Sequence, residues 1–99
     1  MPNPHLTKGF RLAATVLIDN YWIPRKEVER YLARRQYWSQ RLMTYMSQAG
    51  WQAQLDFEGS QDGLAVLGLD GQGQIQALIH LDPANLTALE AGIAPEELF

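Results

Sequence analysis

The sequence predicts an α+β domain: two N-terminal helices, the second long, pack on a three-stranded antiparallel meander, and a short helix comes last. Three observations carry this expectation. Apolar residues recur at helical spacing across residues 25–49, the period changes to two directly after Gly50, and turn residues led by Asp70-Gly71 divide the C-terminal half into strand-length pieces. Helices set apart from an antiparallel sheet are a stable two-layer solution for such an order of elements.

The N-terminal half reads as an arm and two helices. Residues 1–6 hold two prolines and an asparagine and read as an extended arm. Thr7 is placed to cap a first helix over about residues 8–20, in which Phe10, Ala13, Ala14, Leu17 and Tyr21 share a face while Leu12, Val16 and Ile18 widen it. Pro24 suits the first turn of a second helix, where a missing N–H costs nothing, and Gly50 supplies its stop. On a wheel of 100° per residue, Val28, Tyr31, Leu32, Trp38, Leu42, Met43, Tyr45, Met46 and Ala49 fall in one arc of about 160°. Such an arc is wide enough to meet both a sheet and another helix. Arg35 and Ser39 are anomalies inside it, and Arg35 calls for a carboxylate partner if the helix is continuous.

Beyond Gly50, Trp51, Ala53, Leu55 and Phe57 alternate with polar residues, as in a strand with one buried face. A second strand at about 63–69 is apolar on both faces and belongs in the centre. Asp70-Gly71 turns the chain into a third strand at about 74–81, with Gln72-Gly73 able to lengthen the loop. Asp82-Pro83 then gives a cap and a proline at the first helical position, Gly92 closes that short helix, and residues 94–99 read as an acidic tail or one further helical turn.

Ninety-nine residues suit a single domain, 1–99, with a small core and therefore a reason to self-associate. There is no cysteine, which excludes disulfides, thiolate metal sites and cysteine nucleophiles. The longest apolar run, Leu12 to Ile18, is far short of the roughly 18 residues that span a bilayer. These features together read as a cytoplasmic protein without a membrane segment.

Charge is distributed unevenly. The eight Lys and Arg all lie within the first 41 residues, so the first fifty carry +5 and the remainder −8. A split of this kind marks either two faces that attract each other or one face meant for an anionic partner and another for a cationic one. On the outer side of the second helix, Arg30, Arg34, Tyr37 and Arg41 fall within about 60°, a basic stripe with one aromatic in it. Guanidiniums one turn apart meet carboxylates or phosphates bidentately, and the tyrosine can stack. These four residues are the candidate partner-binding site.

Catalytic chemistry finds little to work with. His5 and His80 have no second histidine at ligand spacing, no serine sits in an activated context, and no phosphate-binding glycine loop occurs. A calcium loop built around Asp70 would place Gly68 and Ile79 at its first and last ligand positions, where carboxylates are required. No cofactor is expected.

The order of elements over residues 8–69 also resembles the general winged-helix pattern. That resemblance implies a positioning helix holding Val28, Tyr31 and Leu32, a turn at 33–37, a recognition helix at 38–49 and a wing after Trp51, hence nucleic-acid binding. The leading expectation is a small non-enzymatic interaction or adaptor protein, a homodimer that selects a protein partner by its charge polarity. The alternative is a nucleic-acid-binding regulator working through the same arginine stripe.

Overall fold

The computed structural model describes residues 14–18, 21–56 and 64–99. The expected arm, residues 8–13 of the expected first helix, Phe57 and the loop through Gly63 lie outside the described residues. Strands β1 (Thr15–Ile18) and β2 (Tyr21–Pro24) form an antiparallel hairpin, and a 3-10 turn at Arg25–Glu27 leads into helix α1 (Val28–Gln48). Strands β3 (Gln52–Asp56), β4 (Ala65–Leu69) and β5 (Ile75–His80) make a second antiparallel sheet in that order. Helix α2 (Pro83–Glu90) and a 3-10 turn at Pro95–Leu98 complete the fold. The class is α+β with one long helix, as expected. Among the described residues no helix is long and apolar enough to cross a membrane.

The expected first helix is corrected at residues 15–18, which are a strand. Thr15, Val16 and Ile18 are β-branched and lose side-chain freedom in a helix. Across the hairpin they face Pro24, Ile23 and Tyr21, while Leu17 faces Trp22. Their spacing fits a helix and an apolar strand equally well, and the pairing decides. Alternation then sorts the ribbon. Ile23 is buried, with Ile18 and Tyr21 packed against the core, whereas Leu17 and Trp22 on the opposite face are each about half exposed.

Helix α1 is unbroken through residues 33–37, so the turn required by a winged-helix layout is not formed and there is no separate recognition helix at 38–49. At about 1.5 Å per residue its 21 residues span some 31 Å. Tyr31, Leu42 and Met46 are buried from the expected arc, and Val28, Trp38, Met43 and Tyr45 are partly so. Leu32 departs from it and stays exposed. Ser39 is buried without penalty because its hydroxyl donates to the Gln36 carbonyl at 2.8 Å. Arg35 is half-buried.

Both helices end in the same way. Gly50 has φ 87°, and the N–H groups of Gly50 and Trp51 bond the carbonyls of Ser47 and Met46 at 3.0 Å each. Gly92 has φ 92°, and Gly92 and Ile93 bond Leu89 and Ala88 at 3.0 and 3.1 Å. This paired closure needs a left-handed residue, which glycine adopts without strain. It aims Trp51 back over Met46 and sends residues 93–95 along α1.

The core lies between α1 and one face of the β3–β5 sheet, where Val66, Ile79 and Leu81 meet Leu42 and Met46, with Leu86 of α2 closing one side. Each fully buried aliphatic of this kind contributes about 1.5–3 kcal/mol. Tyr31 donates its hydroxyl to the Leu81 carbonyl at 3.2 Å, tying the first half of α1 to the junction of β5 and α2. That junction is capped by Asp82, whose Oδ1 accepts the Asn85 N–H at 2.7 Å. The Asp70-Gly71-Gln72-Gly73 connection is indeed the longer loop, and the β4–β5 register shifts beside it at Gly68 and Leu69.

Gly68 sets how closely α1 approaches the sheet. A methyl group there would lie 2.7 Å from Trp51 Cε3 and 2.9 Å from Met46 Sδ. Gly68→Ala is therefore expected to destabilise the fold by about 1–3 kcal/mol through overpacking. Gly71→Ala, at a position with nothing within 4 Å, should change stability by less than about 0.5 kcal/mol. Urea unfolding of the two variants checks the contrast, and equal midpoints would remove Gly68 as the spacer.

Candidate functional site

The four residues of the expected stripe are all on α1, but they do different things. Arg30 is exposed, with its guanidinium 3.8 Å from Glu27 one turn earlier. A surface pair of that length contributes little to stability and leaves the cation accessible. Arg34 is not a solvent-facing cation. Its Nε and Nη2 donate to the two carboxylate oxygens of Glu90 at 2.8 and 2.7 Å, and Nη2 lies 3.5 Å from Thr87 Oγ1. The fork fastens the end of α2 onto α1.

Tyr37 and Arg41 form a cluster with Trp38, a residue that the stripe did not include. The Arg41 guanidinium lies 5.4 Å from the centroids of both rings and donates to the Tyr37 hydroxyl at 2.9 Å. The rings themselves meet edge to face, with centroids 5.4 Å apart. Stacking on π-faces holds a guanidinium without neutralising it. Arg41 meets no carboxylate among the described residues. The i, i+4 relation of Tyr37 and Arg41 was visible in the sequence. The place of Trp38 was masked by its position in the apolar arc, because a half-buried indole reads as core.

Below Arg41, α1 and the segment after α2 enclose a groove of about 600 Å³. Leu42 and Leu89, both buried, make its floor, while Trp38, Tyr45 and Ile93 make its walls. The groove exists because Gly92 turns the chain at the end of an eight-residue helix, leaving the last turns of the longer α1 uncovered. Of the side chains lining it, Arg41 alone is charged; Thr44 and Gln48 add polar groups at its edge.

Tyr45 also closes the groove from the other side. Its hydroxyl donates to Glu96 Oε2 at 2.9 Å, and its ring lies edge-on to Phe99 with centroids 6.2 Å apart. The bond raises the Tyr45 pKa. Glu96 is held below the usual carboxylate range, first by its own backbone N–H and then by Tyr45. Residues 94–99, read from sequence as a tail or a turn, are thus a docked turn.

Metal chemistry has no foothold among the described residues, where no group of three or more His, Cys, Asp or Glu could hold an ion. Asp70 commits its carboxylate to its own loop. It accepts the N–H groups of Gln74 and Gln72 at 2.9 and 2.8 Å and the Gln76 amide at 2.8 Å, and these bonds lower its pKa. His80 lies at the end of β5, its Nδ1 buried without a hydrogen-bond partner among the described residues.

Comparison with known proteins finds no match to a family model, to a curated protein or to a solved structure.

The Arg34–Glu90 fork yields a pH-dependent expectation. Hydrogen bonds from Arg34 hold the Glu90 carboxyl below its ordinary value, and Glu90 raises the pKa of Arg34 in turn. Since the folded pKa of Glu90 is the lower one, its contribution is complete above the unfolded carboxylate value of about 4.3 and is lost as pH falls through the lowered value. The side chains are 23% and 40% exposed, so solvent limits the coupling to about 0.5–1 kcal/mol. A double-mutant cycle with Arg34→Ala and Glu90→Ala should return that coupling at pH 7 and none once Glu90 is protonated. A coupling independent of pH would contradict the ion pair.

Proposed function

We propose that this chain is a small non-enzymatic interaction module that binds an acidic protein partner through the outer face of α1, with Arg41 at the centre and Arg30 and Tyr37 beside it. The observation that carries the reading is Arg41 itself. A guanidinium oriented by two aromatic rings and a hydroxyl, set over an apolar groove and left without a counter-ion among the described residues, is prepared for a carboxylate from outside the fold. Aromatic and arginine side chains together are also the composition that dominates binding energy at protein interfaces. Arg34 belongs to this face by position and supports it structurally, through α2.

A nucleic-acid-binding regulator is the second reading, and the arginine stripe is what favours it. Tracking a phosphate backbone is best served by successive cations, however, and within the stripe Arg34 is committed to Glu90, which leaves Arg30 and Arg41 about 16 Å apart along the helix. The carboxylates of Glu27 and Glu90 lie in the same strip. Both features favour a protein partner over a polyanion.

Self-association is part of the proposal. Leu17 and Trp22 are cross-strand neighbours, uncharged and about half exposed, on a two-stranded ribbon that gains stability from being covered. The protein should sediment as a dimer at micromolar concentration and as a monomer when Leu17 and Trp22 are both changed to Ser. Monomeric sedimentation of the unaltered chain over a wide concentration range would remove the dimer.

The interaction reading is tested with Arg30→Glu combined with Arg41→Glu. Proteins retained from an extract of the native host by the unaltered chain should be lost by the variant, while the melting temperature moves by no more than about 2 °C because surface charges contribute little. Retention of the same proteins by the folded variant would return this face to ordinary solvated surface. Nucleic acid co-purifying with the chain and released by salt would favour the second reading.

A further inference from the structure

We propose that the groove between α1 and residues 93–95 is a peptide site whose occupant is an acidic, extended segment carrying one large apolar side chain. The inference rests on the reading of the chain as a protein-interaction module and names the chemistry of its partner. The apolar group seats on Leu42 and Leu89 between the Trp38 and Tyr45 walls, and an adjacent carboxylate reaches Arg41.

Charge complementarity argues for this occupant. A groove of about 600 Å³ is within the range of sites that enclose a compact ligand group, about 300–1,000 Å³. Its one charged lining residue is a cation, and no carboxylate lines it. Arg41 directs one N–H to Tyr37 and keeps donors for a bidentate carboxylate, already oriented by the two rings. Pre-orientation removes part of the ordering cost that a long flexible cation normally imposes on binding.

The chain itself offers an internal precedent on the far side of Tyr45. There an acidic residue and an aromatic three positions later, Glu96 and Phe99, dock together: the carboxylate accepts from the Tyr45 hydroxyl, and the ring packs edge-on against Tyr45 and beside Trp51. Acid plus apolar group is thus a pairing that this end of α1 already holds. Polar groups at the groove's edge suit main chain rather than a compact small molecule. The Gln48 side-chain amide has no hydrogen-bond partner among the described residues, and the Thr44 hydroxyl, which donates to the Gln40 carbonyl, keeps its lone pairs.

The test uses the full chain, labelled with nitrogen-15, and three capped nonapeptides. The first has Asp or Glu at six positions around a central Trp, the second has Lys at those six positions, and the third keeps the acids but carries Ala for Trp. The first should shift the amides of Trp38, Tyr45 and Ile93, and the other two should bind at least about tenfold more weakly, a difference of about 1.4 kcal/mol. Arg41→Gln should weaken the first peptide by about tenfold, and Ile93→Asp, which places a like charge in an exposed wall, should abolish its binding. Both variants should keep the amide spectrum of the folded chain. The proposal is overturned if the acidic Trp peptide does not bind, if the Lys peptide binds as well, or if Arg41→Gln has no effect. It is equally overturned if single-stranded DNA of twenty nucleotides shifts the same amides and displaces the peptide. Should the peptide fail while the Arg30→Glu, Arg41→Glu variant still loses its protein partner, the groove assignment falls and the module reading stands. Partner retention by that variant is the separate result that removes the module.

Discussion

One helix has to do the work of a layer. On the core side of the second sheet α1 lies over β3 and β4 while the turn at Pro95–Leu98 lies against β5, and Met46 packs as closely as it does because Gly68 carries no side chain beneath Trp51. Everything else is arranged around that close approach. The chain leaves α1 at Gly50 in a closure that folds Trp51 back onto the same contact, so the end of the helix, the start of β3 and the last residues of β4 are fixed together. Because α2 is much shorter than α1, the last turns of α1 are left with no second helix beside them, and the groove lies there.

The cost of a one-helix layer is that its outer face must be held as well as wetted. Arg34 shows how the positive first half of the chain is used: it reaches 56 residues along the sequence to Glu90. Tyr45 makes a second such link, 51 residues on to Glu96. The division of charge between the two halves of the sequence is therefore in part an internal attraction, carried among the described residues by the Arg34–Glu90 pair. The structural Arg34 and the proposed partner-binding Arg41 share one helix face, only two turns apart.

Much of this fold was legible in the sequence. Period-two alternation located β3, the two-faced apolar run located β4, and Asp82-Pro83 and Gly92 bounded α2 to within a residue or two, since these signals depend on local geometry. The hairpin β1–β2 was not legible, because Thr15–Ile18 is apolar at a spacing that suits either period and its strand character comes from pairing with Tyr21–Pro24. The arginine stripe does lie, with all four of its residues, on one continuous helix. Its division into a structural Arg34 and an accessible Arg41 depends on Glu90, which is adjacent only after folding. Trp38 could have been added from its i, i+3 relation to Arg41, a stacking distance on a helix, had its apolar character not assigned it wholly to the core.

The site depends on α1 being a single rigid helix, so that Arg34, Trp38 and Arg41 are displayed in a fixed register from one support. Residue-resolved amide hydrogen exchange of the free chain measures this directly. A continuous α1 predicts that Ala33, Arg34, Arg35, Gln36 and Tyr37 exchange as slowly as Leu42 and Met46, opening only with the global unfolding of the domain. Fast exchange confined to residues 33–37, between protected segments on either side, would show two helices joined by a turn and would contradict the single support.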